Sequence, residues 1–190
     1  KNGRPVVVPG KDPTPNGNRV CPGVKGATNW MSQTFNPATG LLTLIALEQC
    51  DVFTSSSKEP EPKKSFSGGG AGPKPQDVGQ QFVRAFDPKT GKRVWEYPLT
   101  GAGEMWAGTV GTKTGVIFFG DDDGHAVAVD GKTGRNLWHY NVGEMLYASP
   151  ITYAVDGKQY FAIASSTAIW TFGLFEPVRP VAVPKIVTAP

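Results

Sequence analysis

The stretch CPGVKGATNW, residues 21–30, contains side chains that could take part in chemistry. Asn29 carries a carboxamide, which can donate hydrogen bonds to an oxygen that gains negative charge. Cys21 is one of two cysteines in the chain, and the other, Cys50, lies 29 residues later. An even count favours a disulfide, and two unpaired core thiols are the alternative. No further Cys or nearby His completes a zinc or haem-attachment motif, so we expect a tethered loop rather than a metal site.

Other polar signals point to structure rather than to a site. The three aspartates at 121–123 lack the spacing of a calcium loop and fall where a hairpin turn is expected. His125 and His139 have no second His or acid at ligand spacing. The sequence DGKTG resembles a phosphate loop, but the earlier glycine would be at position 126, which is Ala. We therefore predict that none of these residues is a metal ligand.

The composition favours a β-protein. The chain of 190 residues contains 24 Gly and 17 Pro, yet 39% of its residues are apolar. Many turn formers beside Val, Thr and aromatic residues indicate short strands and frequent turns. The net charge of +3 is small and unclustered, which argues against a nucleic-acid partner. No apolar run approaches the roughly 18 to 20 residues that span a bilayer, so we expect no transmembrane segment.

Two stretches of the chain repeat each other at a separation of 43 residues: AFDPKTGKRVWEYPL (85–99) and AVDGKTGRNLWHYNV (128–142). Each predicts a strand, a tight turn held by Asp and Gly, and a strand whose Trp packs on a neighbouring sheet. The matched positions are Asp87 and Asp130, Thr90 and Thr133, Gly91 and Gly134, and Trp95 and Trp138. Four short strands in about 43 residues are typical of a β-propeller blade.

We expect an all-β fold, namely a β-propeller with four-stranded antiparallel blades. The predicted units are the end of a preceding blade (1–20), a blade (21–100) with a long insertion (51–80), a second blade (101–142), most of a last blade (143–175) and an extended tail (176–190). The insertion, rich in Ser, Pro, Lys and Gly, is expected to be an elongated insertion or a mobile surface loop.

The starts of the innermost strands are the expected functional region. Asn29-Trp30, Met105-Trp106 and Leu146-Tyr147 occupy equivalent places in the three units. In a propeller such positions ring the central channel on one face, where ligands bind. A propeller closes with four or more blades, so we expect the missing blades in an upstream segment or another polypeptide. The chain begins at a lysine without an initiator Met, which fits a removed leader or the later part of a longer protein.

The D-x-x-T-G-x-x-x-W turns resemble the tryptophan docking motifs of dehydrogenases that depend on pyrroloquinoline quinone (PQQ). The blocks VCPGVKGATNWMSQTFNPATGLL, MWAGTVGTKTGVIFFGDDDGHAVAVDGKTGRNLW and SPITYAVDGKQYFAIA are similar to the C-terminal third of quinoprotein alcohol and methanol dehydrogenases. The resemblance covers roughly residues 1–175. It implies an eight-bladed propeller that holds PQQ beside Ca²⁺ or a lanthanide ion.

The resemblance also implies a function and roles for residues. Such enzymes oxidise primary alcohols in the periplasm and pass electrons to a cytochrome or quinone. It places Asn29 at the quinone edge and Trp106 against the cofactor, and it pairs Cys21 with Cys50. Asn29 could instead cap its own loop, and Trp106 could be ordinary core. Trp95 and Trp138 are expected to be structural docking residues.

Part of the family pattern has no counterpart in this chain. The family's catalytic Asp, its metal-binding Glu and Asn, its adjacent-cysteine ring and its cofactor-sandwiching Trp all lie upstream of the matching region. We therefore expect the chain to be inactive without upstream blades, and the metal is not determined by it. The competing hypothesis is a non-catalytic propeller scaffold of the outer-membrane assembly type, because the docking motif occurs there too.

Overall fold

The described part of the chain consists of strands joined by turns and irregular loops. The computed structural model describes residues 3–4, 6–72, 79–101 and 107–174. Within these residues it contains no helix. The strands are β1 (Asn18–Val20), β2 (Thr34–Asn36), β3 (Leu41–Glu48), β4 (Asp51–Ser55), β5 (Gly69–Gly72), β6 (Gln80–Phe86), β7 (Arg93–Pro98), β8 (Thr109–Gly111), β9 (Val116–Gly120), β10 (His125–Asp130), β11 (Asn136–Asn141), β12 (Ile151–Val155), β13 (Lys158–Ala164) and β14 (Ile169–Gly173).

The strands form four antiparallel sheets. Two have four strands, in the orders β2-β3-β6-β7 and β8-β9-β10-β11, and a third has the order β12-β13-β14. Consecutive strands are neighbours in each, apart from β3 and β6, which pair across the insertion. The predicted all-β fold with four-stranded antiparallel sheets is confirmed.

The apolar pattern of the strands explains how the sheets stack. Alternate residues of β6 are buried, and so are alternate residues of β3 together with Ala46, which gives each strand one face toward a core. Ile45 and Val83 of the first four-stranded sheet pack with Ile117, Phe119 and Val127 of the second, and all five are at most 2% exposed. Two sheets with facing apolar sides are thus held together by burial of these side chains.

A second core joins the second four-stranded sheet to the β12-β13-β14 sheet. Leu146, Phe161 and Ile163 are buried there with Ala126. The rings of Phe118 and Phe161 stack with centroids 4.4 Å apart. The three sheets therefore follow one another as stacked layers, as blades of a propeller do.

The two repeated turns connect adjacent sheets through their tryptophans. Trp95 lies on β7, and its indole Nε1 donates to the Gly131 carbonyl of the next sheet at 3.0 Å. Its ring covers Gly134, where an added Cβ would lie 2.7 Å from the ring. Gly134 has a φ of 73°, which favours glycine in any case. Trp138, the repeat equivalent, instead packs edge-on against Phe172 of β14, with ring centroids 5.0 Å apart.

The insertion at 51–80 contains regular structure in its described part. Its residues include β4 and β5, which form a hairpin, and β1 pairs with β4. Residues 18–20, expected to end a preceding blade, thus join the insertion in a three-stranded sheet. Val20 lies opposite Asp51. Cys21, which follows Val20, is bonded to Cys50, which precedes Asp51, and this disulfide fixes the register of β1 against β4.

Candidate functional site

The loop at residues 21–30 is fastened to the end of β3. Cys21 and Cys50 form a disulfide, as predicted, with an S–S distance of 1.99 Å. Gly23 N–H donates to the Gln49 carbonyl at 2.8 Å. Further along, Leu47 N–H donates to the Ala27 carbonyl, also at 2.8 Å. The loop has no regular secondary structure, yet these contacts hold it at both ends.

The side chain of Asn29 is oriented by its own loop. Its Nδ2 donates to the Lys25 carbonyl at 2.9 Å, and its Oδ1 accepts the Trp30 N–H at 2.9 Å. Asn29 is exposed, and these are its side-chain hydrogen bonds within the described part of the chain. A carboxamide has two N–H donors, so one remains for another acceptor. Capping and ligand binding are therefore compatible for this residue.

The starts of the three innermost strands converge next to this loop. Ser32 N–H donates to Ser149 Oγ at 3.3 Å, and Thr109 N–H donates to the Ser32 carbonyl at 2.9 Å. Gly108 lies between them: an added Cβ would be 2.1 Å from Ser32 Oγ and 2.5 Å from Ser149 Oγ. Ser32, Gly108 and Ser149 occupy equivalent positions in the three units, three residues after the start of each predicted innermost strand. The structure brings them into contact.

The aromatic residues that precede these strand starts differ in exposure, and one of them lies outside the described residues. Trp30 is 67% exposed, although Met31 beside it is buried in the core. Tyr147, its equivalent in the third sheet, is partly buried. Trp106 lies outside the described residues, so its predicted place against a cofactor stays a prediction. An exposed indole beside an oriented amide gives this end of the strands an apolar surface and a donor.

A buried polar cluster at the same end was not predicted. The β9–β10 turn carries Asp121 and Asp122, which are 5% and 4% exposed. Asp121 Oδ2 accepts the Thr100 hydroxyl at 2.9 Å and lies 3.0 Å from His125 Nδ1. Asp122 Oδ2 accepts Gln81 Nε2 at 3.0 Å. The aspartates form the expected hairpin turn, and they also clamp it to the preceding sheet.

This cluster joins two neighbouring sheets. Within the described ranges, no group of three or more His, Cys, Asp or Glu side chains could hold a metal ion. Asp121 also accepts the backbone N–H groups of Asp123 and His125, so its oxygens are engaged. No sequence signal indicated the cluster, because Gln81 and Thr100 meet these aspartates only through sheet stacking.

A second polar cluster closes the β13–β14 turn. Glu144 accepts hydrogen bonds from the hydroxyls of Thr167 at 2.6 Å and Ser165 at 2.7 Å. These donors hold the pKa of the Glu144 carboxyl below its usual range. Ser165 Oγ also lies 3.3 Å from the indole Nε1 of Trp170, so the turn is fixed to β14. Its role is to shape this end of the third sheet.

Comparison with known proteins gives the family. The profile of a family described as outer membrane protein assembly factor BamB matches residues 79–173. Quinoprotein alcohol dehydrogenase PedE of Pseudomonas putida is 31% identical over 199 residues, covering 96% of this chain and 31% of that protein. The lanthanide-dependent methanol dehydrogenase of Methylacidiphilum fumariolicum is 31% identical over 186 residues, covering 92% of this chain and 29% of that protein.

Solved structures agree with these relatives. The crystal structure of quinohemoprotein alcohol dehydrogenase from Comamonas testosteroni matches 78% of this chain and 24% of its own, with a TM-score of 0.70 and 29% identity. This chain thus spans about 31% of the length of a curated relative such as PedE. The part of the chain that the structure describes has no helix of the length and apolarity needed to cross a membrane. The predicted resemblance is confirmed: the chain belongs to the PQQ β-propeller family that includes the quinoprotein alcohol and methanol dehydrogenases.

Proposed function

We propose that this chain is the C-terminal part of a PQQ-dependent alcohol dehydrogenase that oxidises a primary alcohol to an aldehyde. Electrons leave to a cytochrome or a membrane quinone, and the enzyme works in the periplasm. The observation that carries the proposal is the disulfide-tethered loop that orients Asn29 and leaves one amide N–H for a ligand. Relatives that align over 96% of the chain, as PedE does, are dehydrogenases by name.

The three stacked sheets correspond to successive blades in this proposal. Residues 21–100 and 101–142 form two blades, 143–175 most of a last blade, and 176–190, outside the described residues, a tail. Residues 1–20 belong to the end of a preceding blade, of which Asn18–Val20 lies on the insertion. The remaining blades come from an upstream segment or another polypeptide.

The donor chemistry at the strand starts fits one edge of PQQ. When bound, PQQ supplies the quinone carbonyl that accepts the electrons of the alcohol. Asn29 directs an N–H toward an oxygen that becomes more negative, which is a preorganised electrostatic role. Trp30 is exposed at this end, and Trp106 is proposed to line the cofactor. The Ca²⁺ or lanthanide ligands are proposed to lie in the upstream blades.

A non-catalytic scaffold is the second candidate, because the matching family profile carries the name of an assembly factor. That match spans residues 79–173, which hold the docking turns and leave out the loop at 21–30. A scaffold needs the docking turns and has no use for an amide oriented at the strand starts. The dehydrogenase is therefore the better proposal.

The test is turnover of the full-length protein with Asn29→Ala. Loss of one donor to the reacting oxygen should lower kcat by about 10²-fold. PQQ content should fall less, since contacts from the proposed upstream blades persist. Asn29→Asp should be worse than Asn29→Ala, because it places a carboxylate against an oxygen that gains negative charge.

The matched control is Asn136→Ala, which removes an exposed amide that donates to Tyr97 OH. It should leave kcat unchanged. Full turnover with full PQQ content in Asn29→Ala would reduce Asn29 to a loop cap. Absence of a quinone absorbance band and of alcohol-dependent dye reduction in the wild type would favour the scaffold.

A further inference from the structure

Asp51 is a buried carboxylate beneath the loop at 21–30. It follows Cys50 at the start of β4 and is 1% exposed. Its Oδ2 accepts the Val24 N–H at 2.7 Å. Its Oδ1 is buried and has no hydrogen-bond partner within the described ranges. A buried carboxylate with one unpaired oxygen is a poor choice for stability alone, so its presence calls for another explanation.

The loop backbone is shaped to receive this carboxylate. A Cβ added to Gly23 would lie 2.7 Å from both Cγ and Oδ2 of Asp51. The φ of Gly23 is not among the positive values in the chain, so space rather than backbone conformation accounts for the glycine. The side chain of Asp51 and the missing side chain of Gly23 thus form one fitted contact.

This contact lies one residue from the group that orients Asn29. Val24, held by Asp51, precedes Lys25, whose carbonyl accepts Asn29 Nδ2 at 2.9 Å. A shift of the Val24 backbone would move the Lys25 carbonyl and rotate the amide. The disulfide fastens Cys21, and Asp51 fastens the next part of the loop.

We propose that Asp51 is a positioning residue that fixes the direction of the Asn29 amide through the backbone of Val24 and Lys25. The proposal rests on the proposed function of Asn29 and adds a residue to it. It explains why a carboxylate is kept at a place where one of its oxygens is unpaired. The remaining N–H of Asn29 then points in a fixed direction, which matters for catalysis and not for folding.

The test is a double-mutant cycle in the full-length protein that contains this chain. Asp51→Ala should lower kcat on the order of tenfold with a smaller change in KM, because misdirection of a group by about 1 Å costs a large part of its effect. The double variant Asp51→Ala/Asn29→Ala should be no slower than Asn29→Ala alone, since both act through one amide. The absorbance band of bound PQQ should shift in the same direction in both single variants, independently of turnover.

Gly23→Ala provides a second variant that keeps the carboxylate and pushes on it from the loop. It should reproduce the spectral shift and part of the loss of kcat, and it keeps the test open if Asp51→Ala does not fold. Gly72→Ala, on the neighbouring strand β5, is the matched control. A Cβ added there would meet no described residue within 4 Å and its φ is not in the positive range, so the variant should behave as wild type.

The outcomes distinguish failure of the Asp51 proposal from failure of the proposed function. Additive losses in the double variant would overturn the proposal for Asp51. Wild-type kcat and spectrum in both Asp51→Ala and Gly23→Ala, beside a slow Asn29→Ala, would overturn it while the proposed function stands. Wild-type turnover in Asn29→Ala would overturn both, because there would be no amide effect for Asp51 to act through.

Discussion

Trp95 and Trp138 occupy the same position in two copies of one motif, yet they have different surroundings. Trp95 is 8% exposed and donates to the Gly131 carbonyl of the following sheet. Trp138 is 36% exposed and makes edge contacts with Phe172. The following sheet offers Trp95 a D-x-x-T-G turn, and the sequence after Trp138 contains no further turn of that kind.

The glycines of the two turns differ in their surroundings in the same way as the two tryptophans. Gly134 lies under the ring of Trp95, whereas an added Cβ at Gly91 would meet none of the described residues within 4 Å. The docking motif is thus divided between neighbours: each sheet brings the indole and the next sheet brings the turn. A blade of this type is completed by the blades on either side of it.

The largest effect expected from this comparison is on the tryptophans. Trp95→Ala should lower the free energy of unfolding by about 3–5 kcal/mol, because a buried ring is lost and the Gly131 carbonyl loses its donor. Trp138→Ala should cost less, about 1–2 kcal/mol, since more of its surface is already in water. Urea denaturation of the two variants measures both. Equal losses would contradict the difference in burial between the two rings.

A smaller difference is expected between two glycines. Gly91 and Gly134 have φ values of 69° and 73°, so an alanine at either should cost about 1–2 kcal/mol in backbone strain. Gly134→Ala also displaces the Trp95 ring, which should add about 1–3 kcal/mol. The difference between the two unfolding free energies isolates the docking contact.

The two glycine variants should be compared both in the isolated chain and in the full-length protein, because a preceding blade can contact Gly91 only in the latter. In the isolated chain, Gly91→Ala should be the milder change. In the full-length protein, equal costs at Gly91 and Gly134 would show that the indole of a preceding blade covers Gly91. A milder Gly91→Ala there as well would argue against a docked preceding blade.

The smallest effect concerns the pH dependence of the two turns. The pKa of Asp87 is lowered, chiefly by the Lys89 N–H and the Thr90 hydroxyl. For Asp130 desolvation acts to raise the pKa, but donors from Lys132 and Thr133 outweigh it, and the pKa is also lowered. Each carboxylate therefore stabilises the folded chain at pH values above its ordinary pKa of 3.8. This contribution is lost as the pH falls through the lower pKa of the folded state.

This sign predicts the behaviour of two matched variants. Asp130→Asn and Asp87→Asn should each flatten the fall of stability below about pH 4. In the isolated chain Asp130→Asn, and not Asp87→Asn, should also increase the exposure of Trp95, read by indole fluorescence, because among the described residues the Asp130 turn is the one that carries a docked ring. A change in Trp95 emission with Asp87→Asn would contradict the assignment of the two turns.

The fold could be predicted from the sequence because its signals are local and repeated. Asp, Thr, Gly and Trp recur at a separation of 43 residues, and the strands between them are short runs rich in apolar residues, separated by turns. The Cys21–Cys50 bond was favoured by the even count and by the family resemblance. Burial of Trp138 was not predictable in the same way, since it depends on a neighbour that the motif itself does not contain.

The site was predicted in part. The sequence identified Asn29, but its bonds to Lys25 and Trp30 depend on the course of an irregular loop, for which no periodicity exists. Asp51 had no sequence signal, because it faces Gly23 only after the disulfide and β1 bring the two segments together. The role of Trp106 stays a prediction, as this residue lies outside the described part.

The pairing of β3 with β6 has a consequence for protein engineering. Glu48 lies opposite Gln80, so the two ends of the insertion are held side by side by the blade itself. The free-energy cost of closing such a loop rises slowly with its length, by about 0.6 kcal/mol for each doubling. The tip between β4 and β5, residues 56–68, is thus a natural point for fusing a fluorescent reporter or an affinity tag without disturbing the blade.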